Sequence, residues 1–172
     1  MIDIRQLQPH EYEKVREIDV SETGSMIYRA VDGQLVEEQH EWRRPPWTEA
    51  RYADLIDTWK QAVADGGFVL GAFDGDLLVG EAVFRPNLTE SMAQLESLHV
   101  SQNCRRQGAA RRLAAEVIRL ARESGAEALY VSATPTRSAV GFYRSVGFEP
   151  TAAPHPLLFE LEPEDIHMTM SL

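Results

Sequence analysis

The sequence predicts an α/β fold with a mixed central sheet and helices on both of its faces. Strand-like and helix-like runs alternate along the chain. Each long helical run carries one apolar stripe, which has to pack against an apolar surface. Tight turns at Asp32-Gly33 and Asp74-Gly75-Asp76 join strand-like neighbours. No internal repeat, low-complexity tract or linker breaks the order, so residues 1–172 are expected to form one domain. At 172 residues the chain is long enough to bury a sizeable core.

Ile2–Leu7 alternates apolar and polar residues and reads as the first strand. Pro9 opens a short helix whose period is marked by Tyr12, Val15 and Ile18. Ser21–Trp47 carries the weakest pattern. Within it, Met26–Ala30 and Gln34–Val36 flank Asp32-Gly33 as a hairpin. Arg43-Arg44-Pro45-Pro46-Trp47 breaks the chain before a helix at about Thr48–Asp65. That helix aligns Tyr52, Leu55, Ile56, Trp59 and Val63, and Gly66-Gly67 ends it. Phe68–Phe73 and Leu77–Phe84 read as a strand pair, and Leu95–Val100 as the next strand. A helix over Gly108–Ser124 turns Leu113, Ala114, Val117, Ile118 and Ala121 inward and its charges outward. Ala128–Ala133 is a strand and Ser138–Ser145 a helix. A proline-rich crossing, Pro150–Pro163, holds Leu157–Leu161 as a short strand before the last strand, Ile166–Leu172.

Composition excludes several classes of function. The net charge is −10, the opposite of the basic face that nucleic acid requires, so no nucleic-acid partner is expected. No apolar run is long enough to span a bilayer, and the N-terminus lacks the basic-then-apolar pattern of a secretory signal. The single cysteine, Cys104, cannot form an intramolecular disulfide, which fits a reducing cytoplasm. One cysteine also rules out a cysteine-based zinc cluster. His40 among Glu37, Glu38 and Glu41 lacks a second ligand motif, so no metal is expected.

The most informative stretch is Leu95–Ala110, LESLHVSQNCRRQGAA. A strand runs into a turn rich in arginine and amides, and a glycine stands where a helix begins. The first N–H groups of a helix have no internal partner, and the helix dipole adds positive potential, so such a turn suits a phosphate. Gly108 lets backbone approach an anion, Ala110 is small, and Arg105 and Arg106 offer charge-assisted hydrogen bonds. The turn is neither a Walker A loop nor a dinucleotide fingerprint, since Gly-Lys-Ser/Thr and G-x-G-x-x-G are both absent.

Together with the segment that runs on to Glu149, this stretch resembles the GNAT family of N-acetyltransferases. The family's acyl-CoA signature, Q/R-x-x-G-x-G/A, is matched by Arg105, Gly108 and Ala110. Its later A-x-x-x-Y-x-x-x-G-F pattern is matched by Ala139, Tyr143, Gly147 and Phe148. The strong match covers Leu95–Glu149. The resemblance implies a splayed strand pair at a cofactor cleft, with acetyl-CoA as co-substrate. Its pyrophosphate would lie on Arg105, Arg106, Gln107, Gly108, Ala109 and Ala110. Its pantetheine arm would pair with the strand carrying Leu98, His99 and Val100, and Ala128–Ala133 would form the other wall. A backbone N–H near Leu98 would hold the tetrahedral oxyanion.

Two residues are expected to move protons. Tyr143 matches the family's general acid, which protonates the leaving thiolate; alternatively it is a core aromatic of its helix. Glu96, taken to share a face with Gln94 and Leu98, is the candidate base that deprotonates the amine; alternatively it is a solvated strand carboxylate. His99 then points to the opposite face as a packed or capping histidine. Thr136 replaces the family's frequent asparagine and is expected first to cap its helix, with a cofactor contact as the alternative.

The resemblance makes the chain an acetyl-CoA-dependent N-acetyltransferase acting on an amine acceptor. The alternative is a non-catalytic acyl-CoA-binding or regulatory domain on the same scaffold. Ser21–Trp47, with Glu22, Tyr28, Glu37, Glu38, Glu41, Trp42 and Trp47, falls where the family binds its acceptor. Carboxylates beside aromatic rings suit a cation there, and a solvated hairpin is the alternative. The acceptor's identity stays open, and so does oligomeric state, with a homodimer allowed.

Overall fold

The computed structural model describes Met1–Leu172. A seven-stranded sheet runs β1 (Ile2–Gln6), β4 (Phe68–Asp74), β5 (Leu77–Arg85), β6 (Met92–Val100), β7 (Ala128–Ala133), β9 (Ile166–Ser171) and β8 (Glu149–Pro150) in spatial order. All neighbours are antiparallel except β6 and β7. That parallel pair needs a crossover, and α2 (Ala109–Glu123) supplies it. A separate hairpin, β2 (Glu22–Val31) and β3 (Gln34–Arg44), stands beside the sheet. α1 (Glu49–Ala64), α3 (Arg137–Ser145) and α4 (Pro156–Leu161) complete the chain. No helix is long and apolar enough to cross a membrane.

The core lies in two layers, one on each face of the sheet. On one face α2 sends Leu113, Val117 and Ala121 against Leu95, Val100, Leu129 and Val131. On the other, α1 and a 3-10 segment over Pro9–Glu17 pack Leu55, Trp59, Tyr12 and Val15 against Val69, Leu78 and Val83. Trp59 and Leu113 are fully buried. Truncating either to alanine is expected to cost about 2–5 kcal/mol, the range for large buried side chains. Thr48 caps α1, its hydroxyl accepting from Arg51 N–H.

Two sequence expectations are corrected. Leu157–Leu161 belongs to the short helix α4, not to a strand. Pro156 at its first turn presets a helical φ, and Leu157, Phe159 and Leu161 are all exposed rather than paired in a sheet. The hairpin is also much longer than Met26–Ala30 with Gln34–Val36. Its strands lie mostly half-exposed on both faces, so they lack the alternation that marks a core strand. Trp42 steadies the open end, lying against Gly24, where a Cβ would come within 2.5 Å of its ring. Trp42 Nε1 donates to the Met26 carbonyl at 3.2 Å.

Candidate active site

The hairpin docks on the sheet where β7 ends. Tyr28 N–H donates to the Pro135 carbonyl at 2.7 Å, and Ile27 bridges Thr136. Below that contact β6 and β7 part. They pair only at Met92–Ala128, Ala93–Leu129 and Gln94–Tyr130, while β6 continues to Val100 against β5 alone. A cavity of about 590 Å³ opens there among the end of β6, the loop before α2, and α3. It gathers Leu98, His99, Val100, Arg105, Arg106, Gly108, Ala109, Ala110 and Tyr143 from the sequence candidates. Glu96, Gln107 and Thr136 do not line it.

The α2 end of this cleft is made of main chain. Arg106 has φ 62° and Gly108 φ 89°, so the turn curls through the left-handed region twice before the helix starts. As a result, the backbone N–H groups of Arg106 through Arg111 have no acceptor in the protein. Successive free N–H groups at the start of a helix form an anion-binding concavity. A Cβ built on Gly108 meets nothing within 4 Å, so the space in front of it is open. Arg105 also lines the cleft, but its guanidinium is engaged within the protein. Its guanidinium is held by the Val100 carbonyl at 3.3 Å and by Glu22 at 3.1 Å. The Gln107 side chain turns back to the Asn103 carbonyl. Arg106 and Arg111 line the cleft and pair with no carboxylate.

Tyr143 stands at the middle of the cleft, on α3. Its helix starts at Thr136, whose hydroxyl accepts from Ala139 N–H, so Thr136 is a cap. The Tyr143 ring packs edge-on against Phe142 and Phe148 and is 6 % exposed. Burial, then the negative charges of Glu81 and Asp165, push its phenol well above the ordinary tyrosine range. The hydroxyl therefore holds its proton at neutral pH. Asp165 itself, between α4 and β9, is pushed up to about 6 by burial and by Glu162, with Arg44 opposing the shift.

The far end is built from side chains of β5 and β6, and it differs from the sequence expectation. The register of β6 on β5 slips by one residue, since Val83 faces Ser97 but Phe84 faces Leu95. Glu96 is the extra residue of this bulge. The slip breaks the alternation that would have put Glu96 and Leu98 on one face. Leu95, Leu98 and Val100 pack on the α2 side. Glu96 instead points to the α1 side, where its carboxylate accepts from Arg85 Nε at 2.8 Å. Arg85 also pairs with Asp65 at the end of α1, at 2.8 Å.

As expected, His99 faces away from Leu98 and is packed, here against Trp47, but it also reaches the cleft. Its Nδ1 lies 2.5 Å from Glu81 Oε1. Glu81 is fully buried in the centre of β5 and also accepts from Ser97 Oγ at 3.1 and 3.2 Å. Trp47, just before α1, sets its ring edge-on to the His99 ring at 4.9 Å. Sequence reading missed Glu81. Its one signal is a charged residue inside the otherwise apolar run Leu77–Phe84.

Comparison with known proteins agrees with this geometry. The acetyltransferase (GNAT) family model matches residues 33–148. No curated protein sequence matches the chain. Among solved structures, a nourseothricin acetyltransferase superposes with a TM-score of 0.75 at 19 % identity, over 99 % of this chain and 98 % of its own. A Bacillus anthracis acetyltransferase in complex with acetyl coenzyme A gives 0.77 at 16 % identity, over 100 % and 99 %. The Escherichia coli ribosomal-protein-S18-alanine N-acetyltransferase gives 0.63 at 17 % identity, over 99 % and 94 %. At these identities the likeness is one of fold.

Proposed function

The chain belongs to the acetyltransferase (GNAT) family, and from that premise we propose that it moves the acetyl group of acetyl-CoA directly to a primary amine within a ternary complex. The observation that carries this reading is the row of unpaired N–H groups from Arg106 to Arg111, opening onto a cleft that runs to Tyr143. The pyrophosphate of acetyl-CoA suits that row, with Arg106 and Arg111 beside it. The pantetheine amides suit the edge of β6 beyond Gln94, which has no strand partner on the β7 side.

Tyr143 fits the leaving group's proton donor. Thioester aminolysis expels a thiolate, and a phenol that keeps its proton at neutral pH can supply it. The acceptor amine would enter at the end of the cleft lined by His99, whose ring packs against Trp47. A small-molecule amine and a protein amine are both compatible with this entrance. The names of two structural neighbours, for nourseothricin and for the alanine of ribosomal protein S18, set the first acceptors to try.

The test is thiol release from acetyl-CoA with a panel of primary amines that includes nourseothricin and an alanine-initiated peptide. Amine-dependent release, with the acetylated amine detected by mass, is the expected result. Acetyl-CoA that stabilises the protein while no amine is acetylated would identify a binding or regulatory domain instead.

A further inference from the structure

We infer that His99 is the base that takes the acceptor's ammonium proton and that Glu81 is the residue that orients it. The inference rests on the acetyl-transfer reading above. A primary ammonium cannot attack a thioester until it loses a proton, and a free alkylamine holds that proton to a pH of about 10.4. The cleft therefore needs a proton acceptor facing the reacting carbon. Glu96 does not line the cleft and is engaged by Arg85.

Glu81 is hard to explain as a packing residue. It lies fully buried within β5, a place where an unpaired carboxylate costs several kcal/mol. No arginine or lysine reaches it; its only ionisable partner is His99. The contact uses His99 Nδ1, which leaves Nε2 without a protein partner, on a ring that lines the cleft. A carboxylate on Nδ1 fixes the tautomer with the proton on that nitrogen. The Nε2 lone pair is then free to accept a proton. Trp47 packs against the same ring at 4.9 Å. The other ionisable groups facing this end are Glu22 from β2, Arg44 from β3, Arg105 from the turn before α2 and Tyr143 from α3.

The proton flow balances. His99 Nε2 accepts one proton from the ammonium, and the freed nitrogen lone pair forms the new C–N bond at the thioester carbon. The C–S bond then breaks with its electron pair on sulfur. The sulfur takes the Tyr143 proton, and the amide nitrogen's surplus proton restores the phenol through water. His99 gives its proton to solvent, so one proton is released per acetyl group moved.

The test compares the parent with His99→Gln and Glu81→Gln, using thiol release with an acceptor from the panel and kcat/KM followed against pH. For His99→Gln, kcat/KM should fall about 10²-fold or more and its acidic limb should vanish. The melting shift given by acetyl-CoA should be retained. For Glu81→Gln kcat should fall roughly tenfold while the acceptor's KM changes little, the split expected of a residue that only orients the base. A Glu81 that only packs would leave kcat unchanged. Should Glu81→Gln fold poorly, nitrogen-15 NMR of the parent's histidines gives the same answer, with His99 expected as the tautomer bearing its proton on Nδ1. An active parent whose His99→Gln variant keeps its kcat/KM and pH profile would overturn the assignment alone, as would the opposite tautomer. A parent that acetylates no amine would remove the acetyl-transfer reading and this inference with it.

Discussion

At the α2 end the cleft is main chain; at the β5–β6 end it is side chains. The α2 end spans only a few consecutive residues. Arg106 and Gly108 bend the turn, and the helix start leaves its N–H groups free. Nothing distant is needed to free the row, although Ala109 is buried in the core and leaves no room there for a larger side chain. The opposite end joins Trp47, Glu81, Ser97 and His99 from three separate segments. There a one-residue slip in register decides which groups meet. Free N–H groups are what every helix start offers, whereas a cluster of side chains has to be assembled by the sheet.

The sharpest probe of this contrast is Tyr143, which lies between the two ends. Tyr143→Phe keeps the ring packing on Phe142 and Phe148 and removes only the hydroxyl. We expect kcat to fall about 10²–10⁴-fold with little change in acetyl-CoA affinity, the form taken when a transition-state interaction is lost. Turnover within a few-fold of the parent would make Tyr143 a core aromatic.

Gly108→Glu tests the main-chain end next. It forces a side chain into a left-handed position and puts a negative charge into the open space in front of the N–H row. A ligand at 100 times its Kd adds about 2.7 kcal/mol to stability. Melting curves should show this gain in the parent and lose it in the variant. Equal shifts in both proteins would mean that the anion binds elsewhere.

Asp165 offers a smaller effect with a definite sign. Its folded pKa, pushed up to about 6, lies above the ordinary aspartate value. The native state therefore binds a proton more readily than the unfolded chain. Stability falls as pH rises from about 4 to 6, and the cost is fully present above that window. Asp165→Asn should raise stability at pH 7.5 by about 1 kcal/mol after allowance for solvent screening. The gain should disappear near pH 4, which chemical denaturation at the two pH values would reveal. A variant less stable at pH 7.5 would mean that a contact with Arg44 offsets the burial of Asp165.

The smallest expected effect belongs to Glu96. Glu96→Gln weakens its partly exposed ion pair with Arg85, and such pairs contribute roughly 0–1 kcal/mol. Activity should stay within a few-fold of the parent across the pH range. A loss of two orders of magnitude, greatest at low pH, would return the base to the bulge and erase the contrast between the two ends.

Most of the fold was legible because its signals are local. Thr48, Gly108, Gly125 and Thr136 punctuate helices, and apolar spacing distinguishes α1 and α2 from the strands around them. α4 was misread because a short apolar run has no period of its own and here packs few of its residues. The hairpin ran past its expected ends because half-exposed strands carry no alternation.

Sequence alone determined the turn that frees the N–H groups before α2 and the position of Tyr143 on α3, since both depend on the spacing of a few residues along one segment. The tertiary structure decided where Arg105, Glu96 and His99 point. Arg105 is drawn to Glu22, far away in sequence, and no local pattern encodes that pairing. The bulge in β6 moves Glu96 off the face it would share with Leu98, while His99 keeps the face opposite Leu98. Strand alternation has a period of two, so one extra residue exchanges the faces, and only the pairing of β6 with β5 shows where that residue lies.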